Sequence, residues 1–293
     1  RHPLSLGSEP VSNGVTRTLH FFTRQRVELH EEEITADLLG RYKQTLDLRI
    51  PDARSFNGKV GLDAGCGEGR YTYTLTGYGA EVIGMDLGNA VDWAYKRNSS
   101  SPRAHIVQGS IFQPPFRQGV FDFVMSIGVI HHMTEPRRGF EALAPLLNEG
   151  GSIHIWVYGL EDMSFVYRMS HLTPLRTMTS HLPPQASYAV ALPVAMALQA
   201  FVFGPAALAA RVPGLGRHVH PQLREVAALP FPVKIAEVHD RVGAPVTHFL
   251  SEAELQDWYG VAGLRDVTII KTPGGRGWSA RGERLSETPA PAP

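Results

Sequence analysis

The decapeptide Val60-Gly-Leu-Asp-Ala-Gly-Cys-Gly-Glu-Gly69 leaves little freedom to the fold around it. An apolar strand pattern runs into alternate glycines and then into a stretch that suits a helix. Seventeen residues on, Asp86 closes a second strand, Glu81-Val-Ile-Gly-Met85. A strand, a glycine turn, a helix and an acid-tipped strand together describe a nucleotide-cofactor pocket. Gly65, Gly67 and Gly69 remove side chains where backbone must approach a ligand closely. Asp86 sets a carboxylate where it accepts both hydroxyls of a ribose. The nicotinamide fingerprint G-x-G-x-x-G needs glycine at position 70, where Arg70 stands. Asp63, two residues before the first glycine, adds a carboxylate suited to an ammonium rather than to a pyrophosphate.

Asp63-Ala-Gly-Cys-Gly-Glu-Gly69 resembles motif I (D-x-G-x-G) of class I S-adenosylmethionine-dependent methyltransferases. Three more segments are similar, in order, to the family's second, fourth and fifth strands with their loops. They are Gly84-Met-Asp-Leu87, Phe121-Asp-Phe-Val-Met-Ser-Ile-Gly-Val-Ile-His-His132 and Leu147-Asn-Glu-Gly-Gly-Ser-Ile-His-Ile-Trp-Val-Tyr158. The likeness is close over 56–160 and weaker over 240–284, and its nearest branch is the ubiquinone/menaquinone C-methyltransferase-like group, type 11. It implies a Rossmann-like α/β fold with a seven-stranded sheet, mostly parallel with the last strand antiparallel. Helices would cover both faces, with a helical cap inserted after strand five.

The resemblance further implies S-adenosyl-L-methionine as cofactor, S-adenosyl-L-homocysteine as its product, and no metal. Residue by residue, it sets Asp63 and the Gly65-Cys66-Gly67 backbone against the methionine part, Asp86 on the ribose and Leu87 beside the adenine. Ser110 and Ile111 fall in the adenine-reading loop, with Ser110 where many relatives carry an Asp, so its hydrogen bond is the weaker one. The turn from Ser126 to Gly128 would lie beside the methionine end. Cys66, inside the glycine turn, reads as small-residue packing rather than as a nucleophile.

Periodicity predicts strands over 59–63, 81–85, 104–108, 121–127 and 152–158, with helices near 69–77, 89–97 and 136–147. Strands joined through helices imply right-handed crossovers and a parallel sheet, which binds ligands outside the carboxyl ends of its strands. Five segments are expected: an N-terminal helical lid (1–55), the cofactor-binding core (56–159), a helical cap (160–245), the rest of the core sheet (246–285) and a disordered tail (286–293). In the lid, apolar positions between Thr16 and Leu48 suit two helices. Ser251-Glu-Ala-Glu254 is a capping box opening a helix over 252–261, followed by a strand at 266–270, a Pro-Gly-Gly turn and a last strand near 277–283.

From His181 to Ala210 there is no Asp, Glu, Lys or Arg. The run is long enough for a membrane span, but Pro183, Pro184, Pro193, Gly204 and Pro205 interrupt it. Two or three short helices are therefore expected, with no transmembrane segment; contact with a membrane surface is the second reading. Met163, Phe165, Tyr167, Met169 and Met178 either line a pocket in this cap or are plain core.

His131 and His132 close the loop after strand four, where acceptor-side residues gather. Adjacent side chains in irregular backbone diverge, so at most one is expected to face a substrate. They either order the loop or supply a general base titrating near neutrality. Asp240 and His248 match a second run of the branch, whose Lys-Tyr pair is replaced here by Val246-Thr247 and whose second histidine by Leu250. That departure points to a different or less polar acceptor. The catalytic candidates are thus His131, His132, His248 and Asp240.

Lys plus Arg and Asp plus Glu both number 28, so no overall basic field exists to hold a nucleic acid. The expected partner is a small, partly hydrophobic or aromatic metabolite of specialised metabolism, with oxygen or carbon favoured as the methylated atom and nitrogen left open, and with no nucleic acid. The one cysteine excludes an internal disulfide and suits a reducing cytoplasm, and no signal-peptide layout opens the chain. Two alternatives stay open: a cofactor-binding protein without catalysis, and an enzyme of the same fold using the sulfonium for non-methyl chemistry.

Overall fold

The computed structural model describes residues 36–160, 178–212, 214–272 and 277–285, together with Thr18 and Phe21. Its frame is a seven-stranded sheet of β1 (Val60–Ala64), β2 (Glu81–Asp86), β3 (Ala104–Gln108), β4 (Phe121–Ile127), β5 (Leu147–Val157), β6 (Arg265–Lys271) and β7 (Trp278–Glu283). The spatial order is β3-β2-β1-β4-β5-β7-β6. Strands β1 to β5 run parallel, and β7 is antiparallel to both β5 and β6. This is the sheet the resemblance implies.

The central strands read as apolar runs because both faces are covered. Val124 of β4 points to one face, and Phe123, Met125 and Ile127 point to the other. The first face packs α4 (Pro136–Leu143) and α9 (Glu252–Val261) through Phe140, Leu143, Leu255, Trp258 and Tyr259. On the second lie α1 (Ala36–Arg49), a 3-10 turn at Ala53–Phe56 and α2 (Arg70–Gly77), with Phe56 stacked on Phe123 at 4.0 Å. Between β2 and β3 runs α3 (Val91–Asn98). The capping box forms as read: Ser251 Oγ accepts from Glu254 N, and Ser251 N donates to the Glu254 carboxylate.

Two elements differ from the sequence expectation. Helix α4 ends at Leu143 rather than at 147, giving way to a 3-10 turn at Ala144–Leu146. Pro145 lacks the N–H that a longer helix would need there. Strand β5 accordingly starts at Leu147, which pairs with Phe121 ahead of a register shift.

The second difference lies in the cap: α5 (Pro184–Leu198), a π-helical turn (Gln199–Phe203), α6 (Gly204–Arg211), α7 (Pro221–Ala228) and α8 (Phe231–Gly243). Instead of breaking at its prolines, Gln185–Arg211 forms one helix of 27 residues. By length and composition alone it is long and apolar enough to cross a membrane, with 22% of its apolar window buried. In the π turn Gly204 N reaches back five residues to Gln199 O, which sets Pro205, having no N–H, at the seam. Helix α5 packs on α8 through Ala191, Ala195, Ile235, Val238 and Val242. Lys234 Nζ donates to Gln199 Oε1 at 3.0 Å and to Ala227 O at 2.8 Å, tying the turn to α7. Met178 is 71% exposed, which argues against a core role for it. Met163, Phe165, Tyr167, Met169, the first lid helix, the Pro-Gly-Gly turn and the tail lie outside the described residues.

Candidate active site

The chain switches direction across the sheet between β1 and β4, so the loops after β1, β2, β4 and β5 open onto one crevice. Gly65 has φ +84°, and a Cβ there would stand 2.5 Å from the Val129 side chain of the β4 loop. Only glycine lets those two loops close on each other. Asp86 is clamped from both sides: Gly67 N donates to its Oδ2 at 2.9 Å and Gly88 N to its Oδ1 at 2.8 Å. Asp63 is 1% exposed and accepts from Thr72 Oγ1 at 2.7 Å. Burial first, and the charge of Asp86 as well, push its carboxyl up to about 7, against the Thr72 hydrogen bond and Arg70.

The remaining cofactor candidates sit at or just beyond the ends of β1, β2, β3 and β4. Leu87 is half-buried and Ile111 buried, while Ser110 Oγ accepts from Phe112 N at 3.2 Å and shapes its own turn. Ser126 is fully buried, and its hydroxyl donates to Ala64 O at 2.9 Å, joining β4 to β1. Cys66 is buried in the glycine turn, and Gly128 adopts φ +77° beside the Trp156 ring.

On the far side of Gly128 the histidine pair does not diverge. His131 and His132 ring centroids lie 4.2 Å apart, and both rings meet Tyr158, at 4.1 and 5.6 Å. The 3-10 turn Ile130–His132 brings them to one side, and the 244–250 loop holds it there through His248 N donating to His131 O at 2.8 Å. His131 is wholly buried, with neither ring nitrogen bonded, and burial above all pushes it well below the usual histidine range. His132 Nδ1 bonds Val246 O at 2.9 Å, and since a carbonyl only accepts, the proton sits on Nδ1. Its Nε2 faces Asp240 Oδ1 at 3.8 Å. Tyr158 donates to Asp240 Oδ2 at 2.6 Å, leaving Oδ1 buried and unbonded. The ring of His248 goes elsewhere: it bonds the Met133 backbone and lines a groove with Arg137, Glu254 and Trp258.

Residues 62–155 match the family model described as Methyltransferase domain. The fold is similar to the magnesium protoporphyrin IX methyltransferase of Synechocystis PCC 6803, solved with bound S-adenosylhomocysteine. The TM-score is 0.53 at 13% identity, covering 92% of this chain and 98% of that one. This core is a class I S-adenosylmethionine-dependent methyltransferase domain.

The methyltransferase domain fits that cofactor. A buried carboxylate whose charge is costly to its surroundings, beside a second carboxylate, suits an ammonium that offsets that cost, and the clamped Asp86 suits a ribose. Among curated relatives, the tRNA U34 carboxymethyltransferase of Vibrio cholerae is 27% identical over 156 residues, 52% of this chain and 47% of that protein. The tRNA (carboxymethyluridine(34)-5-O)-methyltransferase of Xenopus tropicalis is 33% identical over 151 residues, 48% of this chain and 22% of that protein. The chain thus spans less than half the length of these two relatives.

Both relatives are named for tRNA, so the expected small-molecule partner with no nucleic acid does not stand. Net charge sums the whole chain, whereas nucleic acid is held by local charges. Sequence reasoning also missed Arg49, Trp156 and Tyr158, which lie around His131, and Tyr71, which holds Arg49. Each looks like an ordinary helix or strand residue in its own segment, so no local pattern marks it. Among the described residues no group of three or more His, Cys, Asp or Glu could hold a metal.

Proposed function

We propose that this chain transfers the methyl group of S-adenosylmethionine to an oxygen or carbon nucleophile on an aromatic or heteroaromatic ring. The cofactor, when bound, supplies a methyl group already activated by a sulfonium. The chain must add an in-line approach for the acceptor, exclusion of water and a destination for the acceptor's proton. Asp63 takes the cofactor's ammonium, the Gly65–Gly67 backbone its methionine part and Asp86 its ribose diol. Leu87 and Ile111 flank the adenine, Ser110 its amino edge, and the Ser126–Gly128 turn closes the methionine end.

The observation that carries this reading is Asp240 Oδ1, buried without a bond 3.8 Å from His132 Nε2. With Nδ1–H committed to Val246 O, His132 Nε2 keeps its lone pair and acts as the general base. The imidazolium formed on proton uptake is neutralised by Asp240, which Tyr158 holds in place. His131, neutral and buried, backs the partly exposed ring of Tyr158, on which a planar acceptor ring stacks. An RNA base is such a ring, and the tRNA enzymes among the relatives favour RNA as the acceptor class. A single cysteine, Cys66, which has no second cysteine to bond, fits a reducing, cytoplasmic setting. A second reading, transfer of a carboxymethyl group from a cofactor that carries it on the sulfonium in place of methyl, is favoured by the name of the Vibrio relative.

Purified protein given labelled S-adenosylmethionine and unmodified tRNA is expected to label the RNA, and a parallel reaction with a donor that carries carboxymethyl on its sulfonium, read by mass spectrometry of the nucleosides, separates methyl from carboxymethyl transfer. Asp240→Asn should lower kcat about a hundredfold and Tyr158→Phe about tenfold, both at unchanged S-adenosylhomocysteine affinity. Absence of label in the tRNA overturns the RNA acceptor. Unchanged turnover in Asp240→Asn overturns the assignment of the base.

A further inference from the structure

We infer that Arg49 forms an oxyanion subsite on the acceptor side of the crevice, taking a carboxylate or phosphate carried by the acceptor. This rests on the methyl-transfer reading and names a group that its acceptor must bear. Arg49 ends α1, where the chain leaves the helix ahead of β1. Its guanidinium lies 3.9 Å from the centroid of the Trp156 ring, and Nη1 donates to the Tyr71 hydroxyl at 2.7 Å. Those two contacts fix the plane of the group and occupy one of its N–H donors. They leave the Nε–Nη2 edge, the fork whose spacing matches carboxylate and phosphate oxygens.

Among the described residues no carboxylate pairs with Arg49, whereas Arg97 is paired with Glu68 and Arg281 with Asp52. The placement separates it from the cofactor carboxylates. The arginine acting on Asp63 is Arg70. Arg49 acts instead on His131, after burial and His132, and its Trp156 platform meets the His131 ring edge-on at 5.9 Å. The fixed cation opposes any protonation of the His131 ring, and an anion on its open edge offsets that.

The test uses the full chain with saturating S-adenosylhomocysteine, titrated separately with inorganic phosphate and with acetate. Wild type is expected to bind the anion, with Arg49→Gln weakened about tenfold and Arg49→Lys less so. S-adenosylhomocysteine affinity should stay within about twofold in both variants. A stronger response to phosphate supports a polynucleotide backbone as the source, and a stronger response to acetate supports a carboxylated acceptor. Equal anion binding by wild type and Arg49→Gln, or none by wild type, overturns the subsite. So does a loss of S-adenosylhomocysteine affinity in Arg49→Gln with 5′-methylthioadenosine unaffected, because the fork then serves the cofactor's own carboxylate. The anion titration is repeated without S-adenosylhomocysteine. Anion binding that depends on Arg49, in a protein that does not bind S-adenosylhomocysteine, leaves the subsite standing and removes the methyl-transfer reading.

Discussion

Asp63 holds a proton that an unfolded chain would release. An ordinary aspartate ionises near pH 4, and burial raises this one to about 7. The folded state therefore binds more protons between those values, so stability is lost as pH rises through the window and the full cost is present above it. Asp63→Asn removes a charge that is buried at pH 8 and nearly nothing at pH 4. The cofactor-free variant should accordingly melt higher than wild type at pH 8 and equally at pH 4, by differential scanning fluorimetry. The same change should weaken S-adenosylhomocysteine by about 1.5–3 kcal/mol, since a charge-assisted contact to its ammonium is lost. A lower melting temperature at pH 8 would mean that the acid is not the cost assigned to it. Asp63 and Asp86 were legible from their strand-end positions, because a strand fixes where its last side chain points. The bond from Ser126 to Ala64 was not, since it depends on which strand lies beside β4.

At the scale of elements, the capping box of α9 was readable from four residues, being a local exchange of hydrogen bonds. The long cap helix was not. Prolines were expected to end it, but Pro193 is carried inside α5 and one π turn accommodates Pro205. A Cβ on Gly204 would stand 2.7 Å from Gln199 O, so the wide turn tolerates no side chain there without a shift. Gly204→Ala should cost about 1–3 kcal/mol. The loss should appear as faster proteolysis near 199–205, with cofactor affinity kept because the sheet is untouched. Unchanged melting and proteolysis would show that the turn relaxes to an ordinary helix at no cost.

Over the whole molecule, acid sensitivity follows from buried neutral histidines. Burial lowers His131, His239, His154 and His248, the second and third of these to about 4. In the unfolded chain all four gain protons near pH 6.5, so stability is present above that value and is lost as pH falls through it. Asp63 works in the opposite direction, one group against four. A pH series of melting temperatures should thus fall steeply below about pH 6, and His239→Phe should flatten the fall. A flat series would contradict the neutral burial of these rings.

The order of strands, the glycine turn and the cofactor class could be read along the chain, because each depends on spacing within one short segment. Glycine spacing and the acid after β2 act over a few residues, and the periodicity of the strands reports burial directly. The acceptor side has no such short-range basis. Arg49, His132, Tyr158 and Asp240 come from α1, the β4 loop, the end of β5 and α8, and each is unremarkable in its own segment. Sheet order and the docking of the 244–250 loop on the histidine turn bring them together. Packing also holds adjacent histidines on one side, where backbone geometry alone would send them apart.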